Sequence, residues 1–141
     1  MPRLRTVSPY LLAALLAGAA VTHFVRPEFY DPIVPHLLPG PVRAWTYASG
    51  VAELAVAGAV ALPRTRSRGA LVAALLLVAV FPANVQMAAD AHTTAMRAVA
   101  YARLPLQVPL VLWALAVRRQ CSVRSARVAR PSSTSGAMRS S

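Results

Sequence analysis

Apolar residues concentrate in four long runs, which are separated by short stretches that contain prolines, arginines and three of the four acidic residues. The runs cover residues 8–25, 42–62, 69–89 and about 102–120. A hydrocarbon core of ~30 Å needs ~20 helical residues, so each run predicts a membrane-spanning helix. The fourth is continuously apolar only over residues 104–117 and reaches full length when Arg118 and Arg119 extend toward the headgroups. We therefore predict an all-α fold, an integral membrane four-helix bundle over residues 1–121.

The stretches outside these runs predict a cap and a tail. The first loop, RPEFYDPIVPHLLPGP at residues 26–41, is proline-rich yet apolar. Because irregular backbone is unstable within lipid, we expect this loop to lie at the outer interface as a cap over the helices. Residues 122–141 carry too little apolar surface to fold, which predicts a disordered basic tail.

The first run has an alternative interpretation as a signal peptide. A basic start, MPRLR, followed by apolar residues and AGAA, fits a cleavable leader. The run stays apolar to Phe24, however, and three more runs follow it. These two observations favour a retained helix.

Composition and charge support a membrane protein and orient it. Hydrophobic residues make up 57% of the chain and charged residues 13%, which is far from an ordinary soluble domain. All fifteen basic residues are arginine. With the N-terminus in the cytoplasm, the outer segments hold only Arg26, Arg43, Arg97 and Arg103, and the other eleven arginines are inside. The net charge of +11 thus indicates a lipid bilayer as partner rather than nucleic acid. We expect a multi-pass protein of the bacterial cytoplasmic membrane with both termini inside.

Polar residues within or near the runs fall in the outer half of the membrane. The six candidates for a polar pocket are His23, Ser49, Glu53, Asn84, Arg103 and Gln107. An ionisable group in lipid is costly without a partner, so we expect Glu53 to pair with Arg103 or His23. Together these residues predict an outward-opening pocket. The sequence leaves open whether the pocket binds a ligand or only ties the helices together.

Pro82 interrupts the third run. Because proline lacks an amide hydrogen, the carbonyl of Val78 loses its donor and the helix is expected to bend there. In lipid, such a freed carbonyl needs a neighbouring donor or a water. Asn84 and Gln86 lie ~200° apart around a helix, so both cannot face the interior, and Asn84 is the better interior candidate. A purely structural role for Asn84 stays open.

Several kinds of chemistry lack the residues they require. Cys121 is the only cysteine, which excludes a dithiol relay within this chain. The three histidines have no ligand-like spacing, so we predict no metal site. No glycine-rich phosphate loop or nucleophilic serine motif is present in the sequence. We therefore expect no independent catalytic activity.

Four segments follow one another along the chain, and their order is a more specific signal of a family than any one segment alone. They are THFVRPEFYDPIVPHLLP, SGVAELAVAGAVALPRTRSRGA, FPANVQMA and RLPLQVPLVLWAL, and they cover roughly residues 11–116. Together they resemble the DoxX family of small four-helix bacterial membrane proteins. The family's motifs match His23 and Phe24, residues 49–53, residues 81–84 and residues 103–107.

The resemblance implies a redox-associated membrane protein, since the family takes its name from a subunit of a thiosulfate:quinone oxidoreductase. On this basis we expect an accessory or quinone-interacting subunit of a membrane or peripheral oxidoreductase. A quinone headgroup would occupy the predicted polar pocket. Two alternatives stay open from the sequence, a small-solute carrier or channel and a non-catalytic membrane assembly factor.

Overall fold

The computed structural model describes residues 2–35 and 38–128, and within these residues the chain is helical and contains no strand. The five α-helices are α1 (Pro2–Val25), α2 (Val42–Ala61), α3 (Arg66–Ala79), α4 (Phe81–Ala89) and α5 (Thr94–Val128). Two short 3₁₀ helices, Pro27–Phe29 and Asp31–Ile33, lie between α1 and α2. The predicted all-α class is therefore confirmed.

Within the residues that the structure describes, three helical segments are long and apolar enough to cross a membrane. They are Thr6–Val25, Arg66–Ala89 and Thr94–Val123. The second segment combines α3 and α4. Helix α2 has a similar length but carries Thr46, Ser49 and Glu53 in its interior, and these side chains lower its hydropathy. A fourth crossing by α2 therefore stays a prediction, and so does the four-helix bundle.

Helix α5 extends further than the sequence suggested. It ends at Val128 and so includes residues 122–128, which were predicted to belong to the disordered tail. Residues 129–141, the rest of that predicted tail, lie outside the described residues. The helix accommodates Pro105 and Pro109 in its interior without ending at either of them.

The packing order is α1 against α2, α2 against α3, and α3 against α5, with a smaller contact between α1 and α5. The apolar core is built from small and branched side chains of these four helices, including Leu12, Val60, Ala73 and Val117. The indole of Trp113 donates a 2.7 Å hydrogen bond to the Ser8 hydroxyl and so joins α5 to α1 near the start of α1. This core lies toward the α2–α3 turn, an end of the molecule that we call the turn end.

Large apolar side chains cover the outside of the helices, whereas alanines fill much of the inside. The exposed residues include Leu11, Leu15, Val51, Leu54, Val72, Leu75, Val85, Leu106 and Leu112. The buried alanines include Ala57, Ala70, Ala73, Ala74, Ala100 and Ala114. Small residues allow close helix packing in lipid, where burial of apolar surface gives no drive to associate. Such a number of exposed large apolar side chains fits lipid contact better than water contact.

The turn end is closed by side chains that satisfy the last carbonyls of α2. Arg66 donates hydrogen bonds to the carbonyls of Val60 and Ala61, and its guanidinium lies 4.7 Å from the centre of the Tyr10 ring. The Thr65 hydroxyl donates to the Ala59 carbonyl. The hydrogen bonds hold the start of α3 against the end of α2, and the contact of Arg66 with Tyr10 joins α1 to them.

The opposite end, which we call the cap end, is covered by the first loop. The 3₁₀ helix Asp31–Ile33 contacts both α2 and α4, and Pro27–Phe29 contacts α1 and α2. The loop thus bridges several helices, as the sequence predicted for a cap. Gly50 contacts the end of α1. The roughly eight residues of α2 that precede it span ~12 Å and extend beyond α1, where they pack against this loop.

Candidate functional site

His23 and Glu53 form the centre of a polar group between α1 and α2. The Nδ1 atom of His23 lies 3.7 Å from Oε2 of Glu53, and the two side chains are only 7% and 14% exposed. His23 Nδ1 also lies 3.0 Å from the carbonyl oxygen of Ala19. Because a carbonyl can only accept, Nδ1 carries the hydrogen and donates it to Ala19. Glu53 is therefore beside the imidazole without receiving a hydrogen bond of normal length.

Gly50 makes the approach of these two side chains possible. A Cβ at this position would lie 2.9 Å from Cβ of His23 and 2.8 Å from the ring of Phe24. Any side chain would therefore push α1 away from α2. Gly50 is the position where the contact between the two helices is tightest near the site.

Glu53 has a buried oxygen without a partner. Within the described residues, Oε2 is the one buried side-chain nitrogen or oxygen that has no hydrogen bond. A buried polar atom left unsatisfied costs on the order of 1–3 kcal/mol, and more when the group is charged. The site thus presents an acceptor that a hydrogen-bond donor could satisfy.

The cap covers His23, the neighbour of this acceptor, with an aromatic ring. Tyr30 stacks on His23 with ring centres 3.7 Å apart and an angle of 21° between the planes. The Thr22 hydroxyl uses its single hydrogen on the Ala19 carbonyl, so the Tyr30 hydroxyl is the donor in the 2.5 Å bond between Tyr30 and Thr22. Tyr30 is therefore held in place at both its ring face and its hydroxyl.

Asp31 fastens the cap to the start of α2. One carboxylate oxygen accepts from Nε and Nη2 of Arg43 at 2.8 and 2.7 Å. The other accepts from the hydroxyl of Thr46 at 2.7 Å, and Thr46 is only 1% exposed. Since Asp31 follows Tyr30 directly, these bonds restrict the position of the ring that covers His23.

Arg103 of α5 acts on the site through its charge rather than through contact. It is half-buried, and its positive charge interacts electrostatically with both Glu53 and His23. No nitrogen of Arg103 lies within 4.0 Å of a carboxylate oxygen in the described part of the chain, where the approaches of this kind are His23 to Glu53 and Arg43 to Asp31. Of the two partners predicted for Glu53, His23 is therefore its neighbour, and Arg103 forms no direct ion pair with it.

Asn84 and Gln107 form a separate pair at the helix break. The Asn84 amide donates a 2.7 Å hydrogen bond to Oε1 of Gln107, and Nε2 of Gln107 donates to the carbonyl of Leu77. Both side chains are buried, at 8% and 6% exposure. Helix α3 ends at Ala79 and α4 begins at Phe81, so the break precedes Pro82 as expected. The sequence predicted that the carbonyl of Val78 would need a neighbouring donor or a water. The carbonyl at this break that receives a side-chain donor is that of Leu77, and the donor is Gln107.

Ser49 lies outside both groups. It is exposed and makes no hydrogen bond in the described part of the structure, whereas Thr46 on the same helix is buried under the cap. The buried positions of α2 are Thr46, Gly50, Val56, Ala57 and Val60, with Glu53 partly buried among them. Their spacing of three and four residues marks the inward face, and a search for that stripe would have selected Thr46.

Tyr30 and Asp31 were also missed by the sequence-based prediction, because their roles depend on how the loop folds back.

No cluster of three or more histidine, cysteine, aspartate or glutamate side chains that could hold a metal ion occurs in residues 2–35 and 38–128, so far as their side chains are described. The groups around Glu53 are its own carboxylate, the imidazole of His23 and the guanidinium of Arg103, which together offer hydrogen-bond donors and acceptors. Such a set can bind and orient a polar molecule.

Comparison with known proteins places the chain in a family. A family described as Domain of unknown function (DUF8561) matches residues 12–118, and the chain belongs to this family. No curated protein and no solved structure matches the chain. The resemblance to the DoxX family is therefore wrong, and the redox association that it implied loses its support. The segments that suggested it contain prolines, small residues and isolated polar groups, which unrelated membrane helices also need for packing.

Proposed function

We propose that this member of the DUF8561 family is a four-span integral membrane protein of the bacterial cytoplasmic membrane with both termini inside. Three segments with the length and hydropathy of membrane spans support this topology. Helix α2 packs between α1 and α3, so it would cross with them. The arginine distribution supports a turn end in the cytoplasm and a cap end outside.

The proposed function is that of an accessory binding subunit without catalytic activity of its own. The site beneath the cap binds the headgroup of a lipid-soluble hydrogen-bond donor. The observation that carries this proposal is the buried Oε2 of Glu53, which lacks a hydrogen-bond donor beside an ordered imidazole. A ligand hydroxyl would satisfy it and offset its cost of desolvation.

A quinol is the ligand class that fits these features. Its flat ring suits the neighbourhood of the stacked His23 and Tyr30 rings, and its hydroxyl donates to Glu53. Its apolar tail would remain among the large apolar side chains that cover the helices. The protein would hold the quinol for a membrane or peripheral oxidoreductase, and electron transfer would belong to that partner.

The carrier alternative receives less support from the helix break. A gate at Pro82 would need the break to open, yet Gln107 ties it to α5 through Asn84 and the Leu77 carbonyl. These bonds are buried, so opening would expose unsatisfied polar groups to lipid. The binding function makes no such demand.

Binding of a short-chain quinol to the full-length protein in detergent tests the proposal. Wild type is expected to bind, and Glu53→Gln is expected to bind about tenfold more weakly because a charge-assisted acceptor is lost. The matched control is Glu28→Gln, which removes an exposed glutamate of the cap loop. Equal affinity in the three proteins, or no binding by wild type, would refute the proposal.

A further inference from the structure

Arg103 and Glu53 are oppositely charged groups at the same site that do not meet. Arg103 is half-buried and makes no hydrogen bond or close ion pair in the described part of the chain, and Glu53 has its unsatisfied Oε2. The two side chains nevertheless interact electrostatically. In a medium of low dielectric constant, an unpaired guanidinium and an unpaired carboxylate are both costly.

A ligand that carries both charges would satisfy the two groups together. A phosphate accepts the several N–H donors of a guanidinium, and a primary ammonium donates to a carboxylate. The combined charge of Arg103 and Glu53 is zero, which matches a zwitterion rather than an anion. The site also lies near the end of α1 that carries the cap, as the contact of Gly50 with His23 and Phe24 indicates, and therefore within reach of lipid headgroups.

We propose that Glu53 and Arg103 hold the headgroup of an aminophospholipid, with the ammonium on Glu53 and the phosphate on Arg103. This lipid is the resident ligand of the site, and a quinol displaces it, so the inference rests on the proposed binding function and names a second ligand for the same residues. A trimethylammonium headgroup has no N–H to donate to Oε2 and binds less well. An anionic glycerol headgroup carries no ammonium and leaves Glu53 without an opposite charge.

Lipid titration into the delipidated full-length protein tests this inference. Native mass spectrometry is used to follow binding of phosphatidylethanolamine, phosphatidylcholine and phosphatidylglycerol. Wild type is expected to bind the first about tenfold more tightly than the others, since only it offers both charge-assisted contacts. Free phosphoethanolamine is a further arm, and its failure to compete at millimolar concentration shows that the lipid's chains contribute to binding.

Matched variants assign the preference to the two residues. Glu53→Gln and Arg103→Gln are expected to abolish it, whereas Glu28→Gln and Arg26→Gln, which remove exposed charges of the cap loop, keep it. Arg103→Lys, which retains the charge, is expected to keep part of it and guards against misfolding as the cause of loss. Equal binding of the three lipids by wild type, or an unchanged preference in both Gln variants, overturns the inference. If the protein binds the quinol but shows no lipid preference, the lipid inference is wrong and the proposed quinol-binding function stands.

Discussion

His23 of α1 and Glu53 of α2 lie side by side, with 3.7 Å between Nδ1 and Oε2, yet the hydrogen on Nδ1 is donated to the Ala19 carbonyl. The imidazole therefore fixes one wall of the site without satisfying the carboxylate. The geometry depends on close contact between the two helices.

Gly50→Ala is expected to destabilise the protein by about 1–3 kcal/mol, because the added methyl group would overlap the Cβ of His23 and the ring of Phe24. The displacement of α1 should also weaken quinol binding. Gly58→Ala is the matched control, since its Cβ would meet nothing within 4 Å. Unfolding of both variants in detergent, followed by circular dichroism, checks the prediction. Equal stability of the two variants would argue against close contact at Gly50.

Gln107→Leu is expected to cost more stability than Asn84→Leu, because Gln107 bonds both Asn84 and the Leu77 carbonyl. The loss should be about 1–3 kcal/mol for Gln107. A double-mutant cycle with alanine at both positions should give a coupling energy of about 0.6–1.7 kcal/mol. A coupling energy of zero would show that the two amides do not interact.

Asp31→Asn is expected to loosen the cap, because it removes the ion pair with Arg43 and weakens the bond from Thr46. Since Tyr30 precedes Asp31, faster amide exchange in residues 27–33 should accompany a few-fold loss of quinol affinity, as one charge-assisted bond is lost. Hydrogen exchange with mass spectrometry measures the first effect. The control is Glu28→Gln in the same loop. If Asp31→Asn behaves like this control, Asp31 does not hold the cap against α2.

Single cysteines test the proposed topology. In a Cys121→Ser background, Glu28→Cys places a thiol on the cap loop and Arg64→Cys places one at the turn end, and both positions are exposed. A membrane-impermeant maleimide added to intact cells should label the first and not the second. Labelling of Arg64→Cys alone would reverse the orientation, and labelling of both would exclude the four-span arrangement.

The helices and their apolar exterior followed from hydropathy, because length and periodicity determine which segments suit lipid. The break before Pro82 was also predictable, since a missing amide hydrogen acts locally. Residues 8–25 and 42–62 were expected as helices; α2 covers almost the same residues as predicted, whereas α1 begins six residues earlier, at Pro2. These features depend on neighbours in the sequence.

The contacts of the site were harder to predict, because they depend on how each helix is rotated about its axis. Glu53 could reach His23 or Arg103 by sequence alone, and only the packing of α1 on α2 at Gly50 selects His23. Thr46 meets Asp31 across a fifteen-residue separation that no local pattern encodes. The assignment to the DoxX family was wrong because the short motifs that suggested it are ones that membrane helices need in general.

The central claim is that Oε2 of Glu53 receives its hydrogen bond from a bound ligand. The chain has two glutamates, so a Glu28→Gln variant grown with glutamate labelled with carbon-13 at the side-chain carboxyl leaves Glu53 as the only labelled glutamate side chain. The infrared band of that carboxyl is recorded with and without a short-chain quinol. The account predicts a shift of the band when the hydroxyl donates to Oε2. An unchanged band at quinol concentrations that saturate the protein would contradict it.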